Sequence, residues 1–505
     1  MHIGFLNPQG NFDRHDSYWT EHPDFGGQLI YVKNVAVEMA KHGHNVDILT
    51  RQIIDPEWSE FSEKFDHYSD APNVRIIRLP AGPKEFLRKE LLWSHLVRDW
   101  IPNILQFYQE EGNFPDVMTS HYADGGISGV LIEAEVGIPF TFTAHSLGAL
   151  KMDKLEVTPE NLPEMDEYYH FGRRIMAERL SMNRSAVNIT STTDQERFKQ
   201  YAHPAYRGAV DVNNDDRFAE IPPGVDPSLF DIETRLPNEE ETYQLIQERL
   251  AQDIDEGRQD LPAIIAASRL APKKNHLGLV EAFAESETLQ EKANLVMFTQ
   301  GEDNPLREPV SNHTAEKEVL IPIREVVNNN HLWGKISGFS LPDQPALAAA
   351  YRFFVQRRSV FALTSHHEPF GLGPIEAALA GLPLVVTQNS GLRESLREGD
   401  EVYGILIDPE NPESIAQGLE EVLSDSQRWE WLHNACRQHV WNYYTWKTTA
   451  IDYLNLIEEI VASPNARRPD ELLPIHPYFR DPRPENDVSL DELKELYFQS
   501  SLSSS

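Results

Sequence analysis

The stretch Glu368–Glu376, which reads EPFGLGPIE, decides the fold that this sequence predicts. The apolar run Val360–Leu363 before it has the length of a buried strand, and Pro374 with the apolar residues after it is typical of the first turn of a helix. Because amides at a helix start have no partner within the helix and carry the positive end of its dipole, the turn suits a diphosphate or sugar hydroxyls. Short glycine motifs also arise by chance, so a buried turn with two solvated glutamates is the alternative.

Length and composition indicate a globular enzyme with two domains. The 505 residues exceed what one hydrophobic core usually serves. No apolar run approaches the roughly 20 residues that cross a membrane, and the first residues lack a secretory pattern. One cysteine, Cys436, fits a reducing compartment, so we expect a cytoplasmic location.

The chain is strongly acidic, which makes its basic clusters informative. Its 45 basic and 80 acidic residues give a formal net charge of −35, which opposes binding to nucleic acid or to an anionic membrane. In this background, a local anion pocket is predicted from Arg173, Arg174, Lys89, Lys151 and Lys154. A solvated helix face with salt bridges is the alternative.

The first half of the chain alternates between short apolar strands and helices, the pattern of a parallel α/β sheet. Histidines follow two of the predicted strands, with His121 after Val117–Thr119 and His145 after Phe140–Thr143. Ligands bind outside the carboxyl ends of the strands in such sheets, so both histidines are site candidates. A hydrogen-bonded structural role is the alternative for each of them.

A glycine pair stands at the start of the first predicted helix. Gly26 and Gly27 follow the strand His2–Leu6 at a distance and directly precede the helical pattern of residues 28–42. Glycine at a helix start lets the backbone approach a ligand closely, and the helix amides can bind an anion. This is not the pattern of three spaced glycines that binds dinucleotides, so NAD binding is the weaker interpretation.

The same alternation starts again after the proline-rich segment Ile221–Asp226, which marks a domain boundary. The strand Ala263–Ala267 is followed by a basic loop with Arg269 and Lys274. A guanidinium and an ammonium group above a strand end suit a diphosphate, whereas a solvated loop is the alternative. Five further strands are predicted at Asn294–Phe298, Ile336–Phe339, Val360–Leu363, Leu384–Thr387 and Gly404–Ile407.

The motifs of this chain resemble those of the bacterial sucrose-phosphate synthases, within the retaining glycosyltransferases of family 4. The Glu368–Glu376 motif is similar to that family's signature of two glutamates separated by seven residues. The other motifs that carry the resemblance are Phe5–Phe12, Asp16–Gln28, Ala144–Gly148, Ser268–Leu270 and Lys273–Asn275. The resemblance implies the GT-B fold, in which two Rossmann-like, doubly wound α/β domains face a cleft and a C-terminal helix crosses back to the first domain. The expected domains are residues 1–224, completed by residues 447–505, and residues 225–446.

The resemblance also implies roles residue by residue. The implied catalytic residues are His145, Arg269, Lys274 and Glu368. The histidine meets the donor sugar near its 6-hydroxyl, the two cations neutralise the leaving diphosphate, and the glutamate holds sugar hydroxyls. The implied donor-binding residues are Gly27, Phe370, Gly371, Leu372, Gly373 and Glu376, the last of them on the nucleotide ribose. The implied acceptor-binding residues, around a phosphorylated fructose, are Gly26, Gln28, Lys89, Lys151 and Arg174.

The reaction implied is transfer of glucose from UDP-glucose or ADP-glucose to fructose 6-phosphate, with retention of the anomeric configuration, to give sucrose 6-phosphate. Cationic side chains replace a divalent ion in this family, so we expect no required cofactor and no metal ligands, with Mg²⁺ at most a stimulant. The expected partners are the small-molecule substrates, with a phosphatase as the next enzyme in the pathway.

One departure from the family's pattern leaves the donor open. Typical members have Asn-Gly-Gly-Pro after the strand Leu384–Thr387, where Asn389–Leu392 of this chain reads NSGL. Leucine at this position resembles mannosyl-transferring relatives such as mannosylfructose-phosphate synthase, so GDP-mannose-dependent transfer to a phosphorylated acceptor is the main alternative. A catalytically idle sensor of the same fold and a phosphorylase-like enzyme with pyridoxal phosphate are weaker alternatives.

Overall fold

The structure is a computed structural model that describes residues 1–9, 11–19, 27–299, 304–307 and 314–498. The chain divides into two compact units, of which the first is Met1–Pro222 with Thr449–Ser505 and the second is Pro223–Thr448. The domain boundaries expected from the sequence, at 224/225 and 446/447, each lie two residues from these. Both units follow the strand–helix alternation of the sequence.

The strands described in the first unit are β1 (His2–Leu6), β2 (Asn45–Arg51), β3 (Phe65–Tyr68), β4 (Ala71–Leu79), β5 (Val117–His121), β6 (Phe140–Thr143), β7 (Val187–Thr190) and β8 (Phe218–Glu220). They form one sheet in the order β3-β4-β2-β1-β5-β6-β7-β8, in which β3 runs antiparallel to β4 and the other neighbours are parallel. The sequence predicts β1 with the observed bounds but takes 187–192 as the last strand of this half. β8 is not predicted, because its three residues are too few to show the alternation of apolar and polar side chains that is typical of a strand.

The helices described in the first part of this unit are α1 (Gly27–Lys41), α2 (Trp93–His95), α3 (Ile101–Glu111), α4 (Tyr122–Val136), α5 (Gly148–Lys154), α6 (Leu162–Tyr169) and α7 (Phe171–Arg184). α4 and α7 pack closely because α4 presents glycine at their contact, where a Cβ on Gly126 would lie 2.3 Å from Ser181 Oγ. Parallel strands end at one edge of the sheet, so His121 at the end of β5 and His145 after β6 are neighbours there.

The strands described in the second unit are β9 (Ala263–Ala267), β10 (Asn294–Thr299), β11 (Ile336–Ser340), β12 (Val360–Leu363), β13 (Leu384–Thr387), β14 (Arg397–Glu398), β15 (Glu401–Val402) and β16 (Ile405–Ile407). Six of them form a parallel sheet in the order β11-β10-β9-β12-β13-β16, and β14 and β15 form a small hairpin. The predicted parallel sheet is confirmed, with β9, β12 and β13 at the predicted bounds.

The helices described in the second unit are α8 (Pro227–Phe230), α9 (Glu239–Asp253), α10 (His276–Glu285), α11 (Glu287–Lys292), α12 (Thr314–Asn329), α13 (Gln344–Val355), α14 (Leu372–Leu379), α15 (Leu392–Ser395), α16 (Pro412–Ser424) and α17 (Ser426–Tyr443). They cover the sheet, so that strand side chains such as Ile264, Val296 and Phe361 are fully buried in one core. Burial of both sheet faces explains why these strands read as continuous apolar runs.

The chain returns to the first unit through α18 (Trp446–Ala462), whose first residues up to Thr448 belong to the second unit. Within the first unit, the Tyr453 hydroxyl on α18 lies 3.0 Å from Thr141 Oγ1 on β6. The tail ends in α19 (Leu490–Tyr497), which is preceded by Asp487, the ion-pair partner of Arg173 on α7. Of the helices that the structure describes, none combines the length and apolar character that a membrane span requires.

Candidate functional site

A pocket in the first unit brings together three basic residues that are distant in the sequence. Lys89 begins a short 3₁₀ turn, Lys151 lies in α5 and Arg174 in α7, and all three line the same pocket. We call it the three-cation pocket. Aromatic side chains complete its wall, namely Trp93, Tyr122, Tyr169 and Phe171. Cations beside an aromatic wall suit a ligand that combines an anionic group with a sugar-like body.

Arg174 is held in this pocket by a buried carboxylate. Its Nε donates to Glu178 Oε1 over 2.9 Å, and its Nη2 donates to the Ser146 carbonyl over 2.8 Å. Glu178 is fully buried and also accepts hydrogen bonds from the Gly148 amide and the Tyr206 hydroxyl. Burial lowers the pKa of Arg174, but Glu178, Tyr206 and Tyr122 together raise it more, so the net shift is upward and the guanidinium stays charged.

Lys151 faces the three-cation pocket from α5. Its Nζ lies 3.6 Å from Glu90 Oε1 and 4.1 Å from the centre of the Tyr169 ring. Burial lowers the pKa of Lys151, and the charge of Arg174 lowers it further. An anion bound beside the two cations would raise that pKa again, so the electrostatics of the pocket favour an anionic ligand.

Asp124 adds a carboxylate to the wall of the pocket. The residue is 5% exposed, its Oδ1 accepts a hydrogen bond of 2.9 Å from the Gly125 amide, and its Oδ2 has no partner among the described residues. Burial raises the pKa of Asp124 to about 6, although that amide and the charge of Lys89 oppose the shift. An unpaired buried oxygen next to cations suits a hydroxyl group of a ligand.

Two of the five basic residues predicted for this pocket are not among its lining residues. Arg173 donates from Nε to Asp487 Oδ1 over 2.9 Å and lies 4.6 Å from the centre of the Tyr478 ring, so it holds the C-terminal tail. Lys154 lies at the end of α5, away from the lining. Adjacent helix positions point in different directions, which is why Arg173 and Arg174 serve different surfaces.

The glycine pair before α1 is described only in part. Gly26 lies outside the described residues, whereas Gly27 is the exposed first residue of α1. Its amide therefore has no partner within the helix. The Gln28 side chain donates from Nε2 to Asn7 Oδ1, which ties the helix start to the loop after β1.

His121 and His145 meet at the carboxyl edge of the first sheet. His121 Nδ1 lies 2.9 Å from His145 Nε2. Burial lowers the pKa of His145 to about 3, and burial together with His145 holds the pKa of His121 well below its usual range. Both rings are therefore neutral near pH 7, so His145 can act as a hydrogen-bond partner but not as a cation.

In the second unit, the basic loop after β9 meets the glutamate motif. Lys274 Nζ lies 2.5 Å from Glu368 Oε2, and Arg269 is exposed in the same loop. The loop is tied to the end of β12, because Thr364 Oγ1 donates to the Asn275 carbonyl over 2.9 Å. We call the group of Arg269, Lys274, Glu368 and the glycine turn after it the ion-pair site.

The glycine turn of the ion-pair site has the backbone shape that the sequence predicts. Gly371 has a φ of +101°, in a region that favours glycine, and it caps α14. The amides of Leu372 and Gly373 begin the helix and so have no intrahelical partner. Phe370 is 7% exposed beside them, which leaves the backbone as the polar surface of the turn.

Glu376 follows one turn into α14. Gln344 Nε2, from α13, donates to Glu376 Oε1 over 3.1 Å. Burial raises the pKa of Glu376 to about 7, and the hydrogen bond from Gln344 opposes that shift. A carboxyl group that titrates near neutrality can both donate to and accept from vicinal hydroxyls.

The residues that depart from the family's Asn-Gly-Gly-Pro pattern lie against Glu368. The Glu368 amide donates to the Asn389 carbonyl over 3.1 Å, and the Gly391 amide donates to the Glu368 carbonyl over 3.2 Å. Leu392 packs on the glycine turn, where a Cβ on Gly371 would lie 2.9 Å from Leu392 Cδ1. The departure is therefore part of the ion-pair site.

The sequence does not single out several residues that support these two sites. Glu178, Tyr206 and Glu90 hold or face the cations of the first unit, and Gln344 binds Glu376 in the second. Only Glu178 has a sequence signal, its spacing of four residues from Arg174 on one helix. No group of three or more His, Cys, Asp or Glu side chains that could hold a metal ion occurs in the part of the chain that the structure describes.

The sequence models of two protein families match the chain, one in each unit. "Glycosyl transferase 4-like domain" matches residues 26–207, and "Glycosyl transferases group 1" matches residues 348–439. A probable sucrose-phosphate synthase of Thermosipho melanesiensis is 40% identical over 461 residues, which cover 91% of this chain and 97% of that protein. The sucrose-phosphate synthase of Spinacia oleracea is 30% identical over 89% of this chain, but only 46% of the spinach protein is covered. The chain thus spans about half the length of that plant relative.

Solved glycosyltransferase structures share the fold. The sucrose-phosphate synthase from Thermosynechococcus elongatus has a TM-score of 0.64 at 22% identity, with 92% of this chain and 99% of that chain covered. The catalytic domain of starch synthase IV from Arabidopsis thaliana has a TM-score of 0.60 at 14% identity, with 91% and 99% covered. These likenesses confirm the predicted α/β fold of the GT-B type with two Rossmann-like domains.

Proposed function

This chain belongs to the sucrose-phosphate synthase family of glycosyltransferases, and from that membership and its three-cation pocket we propose that it transfers glucose from UDP-glucose or ADP-glucose to fructose 6-phosphate. The product is sucrose 6-phosphate, with the anomeric configuration of the glucose retained. The observation that carries the proposal is the convergence of Lys89, Lys151 and Arg174 on one pocket in a chain with a net charge of −35.

The three-cation pocket supports a phosphorylated acceptor. Three cations concentrated in one wall would be costly around a neutral sugar, because like charges repel and each loses hydration. A phosphate dianion offsets both costs and accepts charge-assisted hydrogen bonds. Asp124 Oδ2 and the aromatic wall supply contacts that suit the hydroxyls and ring of the attached sugar.

The ion-pair site supports a nucleoside diphosphate donor. Arg269 and Lys274 provide positive charge for the diphosphate, and the amides at the start of α14 add the positive end of a helix dipole. Lys274 Nζ forms an ion pair with Glu368 Oε2. When the diphosphate recruits Lys274, Glu368 is released to accept hydrogen bonds from the donor sugar.

The proposed chemistry is a substitution at the anomeric carbon on one face of the sugar. The bond between that carbon and the diphosphate oxygen breaks, and its electron pair leaves with the nucleoside diphosphate. The fructose hydroxyl forms the new bond and passes its proton to the departing phosphate oxygen. The largest barrier is charge development on the leaving group, so fixed cations and amides lower it by electrostatic stabilisation.

Two further proposals follow from this reaction. The cations take the part of a metal ion on the diphosphate, so we propose that no cofactor is required and that Mg²⁺ acts at most as a stimulant. The product is a phosphate monoester, so a phosphatase is the enzyme that acts next. We also propose a cytoplasmic location, which the single cysteine, Cys436, supports because it fits a reducing compartment.

The direct test is an incubation of the purified protein with UDP-, ADP- and GDP-glucose and GDP-mannose, each with fructose 6-phosphate or with free fructose. We expect a disaccharide phosphate by mass spectrometry from UDP-glucose or ADP-glucose, formed only with the phosphorylated acceptor. Equal rates with free fructose would contradict the role of the three-cation pocket. Release of nucleoside diphosphate without a disaccharide would contradict the transfer itself.

The second candidate function is transfer of mannose from GDP-mannose to a phosphorylated acceptor. The observation that favours it is the Ser390–Leu392 segment, which takes the place of Gly-Gly-Pro and packs against both Glu368 and Gly371. This candidate is supported if, in the same incubation, the protein consumes GDP-mannose and none of the glucose donors. The three-cation pocket has the same role in both functions.

A further inference from the structure

Two histidine rings of the first unit form a direct hydrogen-bonded pair. His121 Nδ1 and His145 Nε2 are 2.9 Å apart, and the ring centroids are 5.1 Å apart with the planes only 22° from parallel. β5 and β6 are parallel neighbours, with His121 in register with Thr143. The ends of these strands therefore bring the two rings together.

His121 is rigidly held on its other sides. Its Nε2 lies 3.2 Å from Thr119 Oγ1, and its ring stacks on Phe5 with a centroid distance of 5.6 Å and planes 3° apart. The residue is fully buried, with 0% of its surface exposed. A side chain fixed by a hydrogen bond, a stacked ring and complete burial can orient its neighbour.

His145 is the more exposed residue of the pair. It is only partly buried, and its φ of +53° lies in the left-handed region that is unusual for a residue other than glycine. The Tyr31 and Tyr122 rings contact it with centroid distances of 5.3 and 5.5 Å. Within the described part of the chain, His121 is the hydrogen-bond partner of Nε2, which leaves Nδ1 of His145 for a ligand.

The hydrogen bond couples the protonation of the two rings. In a pair of neutral imidazoles one nitrogen must donate and the other accept, so Nδ1 of His145 accepts when its Nε2 donates and donates when its Nε2 accepts. The Thr119 hydroxyl can donate or accept at the far end, so it serves either arrangement. The depressed pKa values of both rings are consistent with a neutral pair. A sugar hydroxyl is also both donor and acceptor, so it can bind Nδ1 of His145 in either arrangement.

We infer that His121 is a positioning residue that holds the His145 ring in one orientation, so that Nδ1 of His145 binds a hydroxyl of the donor sugar. The inference rests on the proposed function, in which His145 meets the 6-hydroxyl of that sugar. His121 acts only through His145. It contributes order to a contact that a freely rotating ring makes only part of the time.

The test compares UDP-glucose with UDP-6-deoxyglucose in wild type and in His121→Phe. Phenylalanine preserves the ring that stacks on Phe5 but has no nitrogen to bind His145. We expect wild type to prefer UDP-glucose in kcat/KM by roughly tenfold, the value of one neutral hydrogen bond. In His121→Phe we expect that preference to fall to about twofold, with the KM for fructose 6-phosphate unchanged.

Two further variants separate hydrogen bonding from folding. His121→Asn retains a polar atom near the Nδ1 position and should retain most of the preference, whereas His121→Gln places its polar atom towards Thr119 and should lose it. This pair decides the question if His121→Phe does not fold. His2→Asn, at the opposite edge of the same sheet, is the control and should keep the wild-type preference.

Three outcomes have separate meanings. If His121→Phe slows both donors equally and keeps the wild-type preference, the inference is overturned and His121 is only structural. If wild type transfers glucose but does not distinguish the two donors, the inference is also overturned, because His145 then does not bind the 6-hydroxyl. If wild type transfers no glucose from either donor, the proposed function is overturned, and the inference that rests on it is overturned with it.

Discussion

The three-cation pocket and the ion-pair site both suit phosphate groups, but they are built in different ways. In the pocket, Arg174 is anchored to fully buried Glu178 and Lys151 lies against the Tyr169 ring, so the protein itself holds these two cations. In the ion-pair site, Arg269 is exposed and Lys274 is bound to Glu368, a group that it must leave.

This difference matches what each phosphate does in the proposed reaction. The phosphate of the acceptor is unchanged by the chemistry, so its binding energy is the same in the ground state and the transition state. The diphosphate of the donor departs with growing negative charge, so interactions with it accelerate the reaction when they strengthen during departure. A rigid site serves the first purpose, and a site that exchanges partners serves the second.

The comparison predicts its largest effect on turnover at the ion-pair site. We expect Lys274→Ala to lower kcat by roughly 100-fold or more, because it removes charge stabilisation of the leaving group, and Arg269→Ala to act in the same direction. Donor KM should change less. The measurement is steady-state kinetics with the donor varied at saturating acceptor.

A neighbouring lysine provides the matched control for that experiment. Lys273→Ala removes the same charge from the same loop at an exposed position and should leave kcat within about twofold of wild type. If Lys274→Ala and Arg269→Ala both kept wild-type turnover, the diphosphate would not bind at this loop. The distinction between the two sites would then be lost.

The second prediction concerns KM at the three-cation pocket. Lys89→Ala should raise the KM for fructose 6-phosphate by roughly 10- to 100-fold, the value of one charge-assisted hydrogen bond, and leave kcat and the donor KM nearly unchanged. Arg173→Ala is the control, because that residue binds Asp487 on the tail. An equal rise in both KM values would indicate a folding defect or a misplaced site.

The sequence predicts most of the second sheet but less of the first. β9, β12 and β13 are buried on both faces and read as uninterrupted apolar runs. β4 is not predicted because it contains Arg75 and Arg78, whose carboxylate partners lie on other elements, with Asp47 on β2, Glu111 on α3 and Asp66 on β3. A buried arginine that pairs across a sheet interrupts the run of apolar residues by which a strand is recognised. No local sequence pattern predicts its partner.

The same limit applies to the candidate sites. The sequence proposes Lys89, Lys151 and Arg174 because cations are conspicuous in an acidic chain, and the structure places them in one pocket. It does not propose the pairing of Lys274 with Glu368, or of His121 with His145, because each pair joins residues at or after the carboxyl ends of two different strands. Contacts of that kind follow from sheet order, which strand periodicity alone does not determine.

A third prediction tests, through the pH dependence of stability, how much the buried carboxylate of Asp124 in the three-cation pocket destabilises the fold. Burial raises the pKa of Asp124 to about 6, whereas an aspartate in an unfolded chain titrates near ~3.9. Between these values the folded protein keeps a proton that the unfolded chain has released, so stability falls as the pH rises. Asparagine does not titrate, so the stability of Asp124→Asn relative to wild type should increase by roughly 1 kcal/mol from pH 5 to pH 8.

Urea unfolding of both proteins at the two pH values measures this difference. The control is Asp116→Asn, since Asp116 is exposed and accepts a hydrogen bond from the His2 amide. Asp116→Asn removes the same charge at a position outside the three-cation pocket. If the stability of Asp124→Asn relative to wild type were the same at pH 5 and pH 8, Asp124 would ionise normally. The carboxylate would then not destabilise the pocket electrostatically.

The smallest predicted effect concerns donor choice at the ion-pair site. Leu392 is the first residue of α15, a position where proline is tolerated, and its side chain contacts the Gly371 turn. Leu392→Pro restores the proline of typical family members and removes that contact beside Glu368. It should shift the ratio of kcat/KM for UDP-glucose to that for GDP-mannose towards glucose by roughly tenfold or less, because one small packing change discriminates sugars weakly. Leu392→Met keeps the volume and should keep the ratio. Equal losses with both donors in Leu392→Pro would mean that this segment supports Glu368 without selecting the sugar, and the ion-pair site would then differ from the three-cation pocket in its cations alone.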